Sequence, residues 1–231
     1  MKQFWHLFKF DFMLLAKYKV LSIALAVSAV YIAVFRFLPA FEGKDKLIVL
    51  LIFNDPALLG ILFVGVMVLF EKNENTLVTL AVSPMKLKNY ILSKGLIFSL
   101  LSLFCCLAMV IFGYGEKVNF IHFSLACFLG SFIFSMLGFI AVANQNSFNK
   151  YILRAVWIIL LIAVPFLAYF GLVSQNWFWL FPSQPLIFLF DHSFNLSMST
   201  SELVLNYLIT FGWCIVSYII AKRNFSKSLC E

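Results

Sequence analysis

Charged residues are scarce in this sequence. Asp, Glu, Lys and Arg make up 12% of 231 residues, about half of what a soluble domain carries, while 63% are hydrophobic. That scarcity excludes an ordinary water-soluble fold. Other features are missing altogether. The only Gly-Lys pair is Gly43-Lys44, followed by Asp45 and without the upstream glycine a phosphate-cradling P-loop needs, so ATP hydrolysis by this chain alone is not expected. His6, His122 and His192 are scattered without zinc-site spacing, and no nucleophile elbow surrounds any serine. Cys105, Cys106, Cys127, Cys214 and Cys230 form no C-x-x-C pair and read as small apolar fillers rather than a disulfide frame. Residues 1–19 are interrupted by Lys9, Asp11 and Lys17, which is incompatible with the apolar core of a signal peptide.

What is present is a series of long charge-poor runs. They place membrane spans at about residues 20–38, 48–70, 92–112, 120–143, 151–171 and 203–221, each near the roughly 17 to 25 residues that carry a helix across hydrocarbon. Runs such as 101–110 lack the alternation of a barrel strand, so the expected fold is an all-α integral membrane protein with six transmembrane helices in a single domain. With the N-terminus in the cytoplasm, every one of the 17 Lys and Arg except Arg36, Lys44, Lys46 and Lys117 falls inside. The positive-inside rule then puts both termini in the cytoplasm of a multi-pass cell-membrane protein. The same distribution assigns the net charge of +7 to topology and membrane lipid, not to nucleic acid.

Three segments depart from plain spans. Residues 1–19 are amphipathic and suit an interfacial helix, with Asp11 standing in the middle of the apolar face, either where the helix breaks or tilts or where a partner protein touches it. Residues 71–84 read as a short cytoplasmic helix with Leu77, Leu80 and Ala81 on one face, ended by Ser83-Pro84. Residues 172–197 are apolar and aromatic, yet Gln175, Asn176, Pro182, Ser183, Gln184 and Pro185 prevent an uninterrupted crossing, which suggests an outer re-entrant hairpin. Within the second span, Asp55 precedes Pro56. It reads either as a cap where Pro56 opens a helix or as a polar site in the membrane.

The run Phe70-Glu71-Lys72-Asn73-Glu74-Asn75-Thr76-Leu77, with Leu80, Pro84 and residues 90–94 after it, resembles the segment following the second span of ABC-2-type transporter permeases. Gly60-Ile61-Leu62-Phe63-Val64-Gly65 and Phe181-Pro182-Ser183-Gln184-Pro185-Leu186 are similar to motifs of fluoroquinolone-export-type permeases. The resemblance implies the membrane subunit of an ABC exporter, paired with a second permease copy or paralogue and with separate nucleotide-binding subunits that hold ATP and magnesium. No cofactor is implied on this chain. By position, Glu71, Glu74, Thr76, Leu77 and Leu80, with Asp11 on the adjoining helix, would meet the ATPase. Separately, irregular backbone at membrane depth suits a cavity wall, so Phe181, Pro182, Ser183, Gln184 and Pro185 in the outer hairpin are the expected outer gate. A channel or assembly scaffold is the alternative and predicts no ATPase partner; an intramembrane enzyme lacks any motif in its favour.

Overall fold

The computed structural model describes residues 2–39, 43–74, 76, 86–115, 117–174 and 178–230, in which every regular element is a helix and none is a strand. The N-terminal helix α1 spans Lys2–Lys17 and α2 spans Val20–Phe37. The second crossing joins α3 (Lys44–Ala57), a π-helical turn (Leu58–Phe63) and α4 (Val64–Asn73). Next come α5 (Leu87–Met109), α6 (Phe120–Val142), α7 (Phe148–Ala163) and the short α8 (Phe166–Tyr169). The chain ends with α9 (Ser183–Asn195) and α10 (Thr200–Cys230). Six of these stretches are long and apolar enough to cross a membrane: Val20–Phe37, Lys44–Asn73, Leu87–Tyr114, Phe120–Val142, Phe148–Tyr169 and Thr200–Lys227.

Helix α6 is the hub, packed against α3, the π-turn, α4, α5, α7, α9 and α10. Small residues make this possible, because a bundle in lipid is held by close backbone packing rather than by hydrophobic exclusion. Gly60 of the π-turn and Gly138 of α6 meet there; a Cβ on Gly138 would lie 2.7 Å from the Gly60 carbonyl oxygen. The periphery follows the inverted logic of a membrane protein. Val30 and Phe37 on α2, Leu153 and Trp157 on α7, and Leu208 and Phe211 on α10 are exposed, and only hydrocarbon surroundings make that arrangement favourable.

Sequence reasoning started the second span at residue 48 with Pro56 in a first helical turn, whereas α3 begins at Lys44 and carries Pro56 in its interior. The reason is local compensation. Proline has no N–H to give the carbonyl of Ile52, four residues back. The Cys106 thiol of α5 approaches that carbonyl at 4.0 Å, so part of the lost donor is replaced from a neighbouring helix. The chain then widens into the π-turn, whose Ile61 and Leu62 carbonyls both accept from the Tyr151 hydroxyl of α7, the latter at 2.9 Å. Gly65 leaves room for the Tyr151 ring, since a Cβ there would sit 2.3 Å from it.

Residues 178–195 contain α9, packed against α3, α6 and α10. Its Ser183, Gln184, Pro185 and Leu186 are buried inside the chain. Ser199 and Glu202 then form a reciprocal cap at the start of α10: the Ser199 N–H donates to Glu202 Oε2 at 2.9 Å and the Glu202 N–H to Ser199 Oγ at 3.5 Å.

Candidate functional site

A buried ionic cluster joins α1, α4 and α5 at the end of the bundle where α4 stops. Lys94 is fully buried on α5. Its ammonium donates to Asp11 Oδ1 of α1 at 2.8 Å and to Glu71 Oε1 of α4 at 2.6 Å. The second oxygen of each carboxylate is also engaged. The Ser93 hydroxyl donates to Asp11 Oδ2 at 2.5 Å and the Tyr90 hydroxyl to Glu71 Oε2 at 2.5 Å. Every carboxylate oxygen in the cluster therefore has a donor, the condition under which buried charge is tolerable. The Tyr90 ring stacks on Phe225 of α10 at 5.8 Å and contacts Phe139 of α6, so the cluster also reaches the hub and the last span.

The local fold explains why these groups meet. Asp11 shares one face of α1 with Leu7, Leu14 and Leu15, all buried, and that face packs on α5. Tyr90 and Lys94 lie four apart on α5, one helical turn, and so present to the same neighbour. Helix α4 ends two residues past Glu71, at Asn73. Contacts at the rim tie the same elements together: Lys17 pairs with Glu74 at 3.5 Å, and the Tyr18 ring lies 4.9 Å from Phe70. Burial, reinforced by Glu74 and then Glu71, pushes the Tyr18 phenol up to about 12. Lys72 Nζ donates to the Gln145 carbonyl at 3.1 Å, fixing the end of α4 to the turn between α6 and α7.

The residues expected at an ATPase contact thus divide. Asp11 and Glu71 are 1% and 2% exposed, with carboxylates committed to Lys94, so neither offers its charge to a second protein in this conformation. Asp11 does not break α1, which runs unbroken from Lys2 to Lys17; the interior lysine accounts for its place in the apolar face. Glu74 is exposed at the rim, and the Thr76 hydroxyl donates to the Glu71 carbonyl at 2.8 Å. Leu77 and Leu80 lie outside the described residues. Lys94, Tyr90 and Ser93 went unnoticed as a site from sequence. The available signal was Lys94 itself, an ionisable residue inside an apolar run and hence a candidate by the cost of placing charge there.

Asp55 is 2% exposed and faces Cys106, whose thiol lies 3.7 Å from Oδ2. Its neighbour Asn54 instead lines a crevice of about 270 Å³ between α3 and α7, walled by Leu50, Ala57, Ile159 and Phe166. Of the residues expected in an outer gate, Phe181 and Pro182 are half-buried, while Ser183, Gln184 and Pro185 are packed inside this chain. Leu180, 82% exposed, is the neighbouring residue that faces outward.

Apolar helices in sufficient number and length, a lipid-facing periphery and a polar knot at one end define a multi-pass α-helical membrane protein. The sequence model of the fluoroquinolones export permease protein family matches residues 2–231, and the chain belongs to that family. Two curated proteins of Mycobacterium tuberculosis, from strains CDC 1551 / Oshkosh and ATCC 25618 / H37Rv, are each named a fluoroquinolones export permease protein. Each is 28% identical over 138 residues, 59% of this chain and 58% of the relative, so the match spans less than two thirds of either relative's length.

Proposed function

We propose that the chain is the membrane subunit of an ATP-driven exporter, in which the junction of α1, α4 and α5 passes movement of a separate ATPase into the spans. The observation that carries this reading is Lys94 held between Asp11 and Glu71. Glu71 sits two residues before the end of α4, so a push on the segment that follows reaches α1 and α5 through a clamp with little slack. The contact with the ATPase is then made by Glu74, Thr76, Leu77 and Leu80, with Asp11 and Glu71 as the platform behind them. ATP and magnesium are bound by the partner, two permease copies enclose the pathway, and the names of the relatives make fluoroquinolones the first cargo to assay.

Replacing Leu77 and Leu80 together with Asp is expected to abolish capture of the ATPase subunit by the tagged permease, because two carboxylates would be desolvated in an apolar groove. Membrane insertion and thermal unfolding are expected to stay unchanged. Full ATPase recovery with this variant, at native yield, would overturn the coupling reading.

Topology has its own test. Cysteines at Phe148 and Lys227 are expected to react with an impermeant thiol reagent only after the membrane is opened, and those at Asp45 and Leu180 before it. Labelling of position 227 in sealed cells would reverse the proposed orientation.

A further inference from the structure

Two histidines from different helices meet at the end of the bundle opposite the Lys94 cluster. The rings of His122 on α6 and His192 on α9 lie 5.3 Å apart, centroid to centroid. His122 Nδ1 is 3.0 Å from the Tyr207 hydroxyl of α10, so three helices converge on the pair. His192 is 6% exposed, and its Nδ1 accepts the backbone N–H of Met198 at 3.1 Å. That bond determines the tautomer. An Nδ1 that accepts carries no proton, so the neutral ring holds its hydrogen on Nε2. The same bond secures the turn between α9 and α10, where Leu196 adopts a left-handed φ of 48°. Nearby, the Asn119 N–H donates to the Ser193 carbonyl at 2.8 Å and ties the start of α6 to α9.

We propose that His192 is an acid-sensitive latch on the turn joining α9 to α10. Protonation places a hydrogen on Nδ1, converting an acceptor into a donor that points at the Met198 N–H. The hydrogen bond is lost, two donors face each other, and the new charge meets the His122 ring. The turn at residues 196–199 is released, and with it the hold of α9 on α10.

The surrounding charges do not offset this. Asp191, next in sequence, has both oxygens occupied: Oδ1 accepts from the Tyr169 hydroxyl at 2.7 Å and from Asn195 at 3.1 Å, and Oδ2 from the Ser197 hydroxyl at 3.0 Å. From α3, Asp45 accepts the Tyr114 hydroxyl at 2.7 Å, while Lys44 and Lys46 lie over the rings of Tyr114 and Tyr169. On α10, Glu202 is taken by Ser199 and Tyr207 by His122. Burial, and then His122, hold His192 below the ordinary imidazole value of 6.5 against a smaller opposing effect of Asp191. The sign follows: the latch is complete above that ordinary value and weakens as pH falls through it, because the released ring binds the proton more readily than the packed one.

Hydrogen–deuterium exchange of the purified full chain in lipid nanodiscs tests the latch without reference to transport or to any partner. Between about pH 7.5 and about pH 5.5, either side of the ordinary imidazole pKa, the amides of residues 196–200 are expected to lose about tenfold in protection after correction for intrinsic exchange. His192→Asn keeps an acceptor oxygen near the Nδ1 position and does not titrate; it should stay protected at both pH values. His192→Lys carries a fixed charge and no acceptor, and should be unprotected there at both, while α5 amides remain protected. Equal protection of the native chain at the two pH values, or an acid response retained by His192→Asn, would overturn the proposal.

Discussion

Replacing Lys94 with Met is expected to destabilise the protein by about 3 to 5 kcal/mol, the usual cost of removing one partner from a buried charge cluster. Asp11 and Glu71 would be left as two carboxylates at 1% and 2% exposure with only Ser93 and Tyr90 as donors. Thermal unfolding in detergent measures the loss. A combined variant separates stability from coupling. Lys94→Met with Asp11→Leu, Glu71→Leu, Tyr90→Phe and Ser93→Ala removes the charges and both hydroxyl donors that served them, and apolar replacement of a whole buried cluster is often neutral or stabilising. That variant is expected to unfold near the native temperature yet to lose ATP-dependent export, because apolar contacts permit slippage where the ionic clamp fixes one geometry. If Lys94→Met alone unfolds like the native chain, the cluster is not what holds α1, α4 and α5 together. If the combined variant exports normally, the cluster serves stability only.

The spans were legible in the sequence because the membrane leaves a coarse record: long runs without charge, with cations concentrated on one side. The cluster was not legible, because its members lie far apart in the chain and each had a sufficient local explanation. Lys94 passed as one more cytoplasmic cation, and Glu71 as the start of a short cytoplasmic helix that meets an ATPase. Asp11 was the visible anomaly, a carboxylate within an apolar face, but only the packing of α1 on α5 showed that a lysine, not a partner protein, was its counterpart. Pro56 misled for a related reason. Proline ordinarily marks a helix start, and no local pattern could show that Cys106 on another helix approaches the carbonyl it leaves free. The role of Gln184 and its neighbours was read from polarity, which signals that a segment does not cross the membrane but not whether its side chains face a second subunit or their own bundle.

Gly138→Ala is expected to be among the most damaging substitutions outside the cluster. The added methyl would lie 2.7 Å from the Gly60 carbonyl oxygen, 2.9 Å from that of Ile61 and 3.2 Å from Ile61 Cα. All three are backbone atoms, so no rotamer change relieves the contact. The π-turn cannot withdraw either, because the Tyr151 hydroxyl holds the Ile61 and Leu62 carbonyls from the other side and Gly60 already lies against the backbone of Phe134 and Ser135. Overpacking costs typically about 1 to 3 kcal/mol, and rigid surroundings put this site at the upper end. Two other glycines calibrate the result. At Gly95 the added methyl would meet the flexible end of Met136 at 2.5 Å, a neighbour able to yield, so Gly95→Ala should cost less. At Gly212 nothing lies within 4 Å, and Ala gains about 1 kcal/mol of helix propensity there, so Gly212→Ala should be neutral or stabilising. Unfolding temperatures measured in one detergent should therefore fall in the order Gly212→Ala, Gly95→Ala, Gly138→Ala. A Gly138→Ala protein as stable as Gly212→Ala would mean that the π-turn and α6 are not in backbone contact, and that the second and fourth spans are packed in some other way.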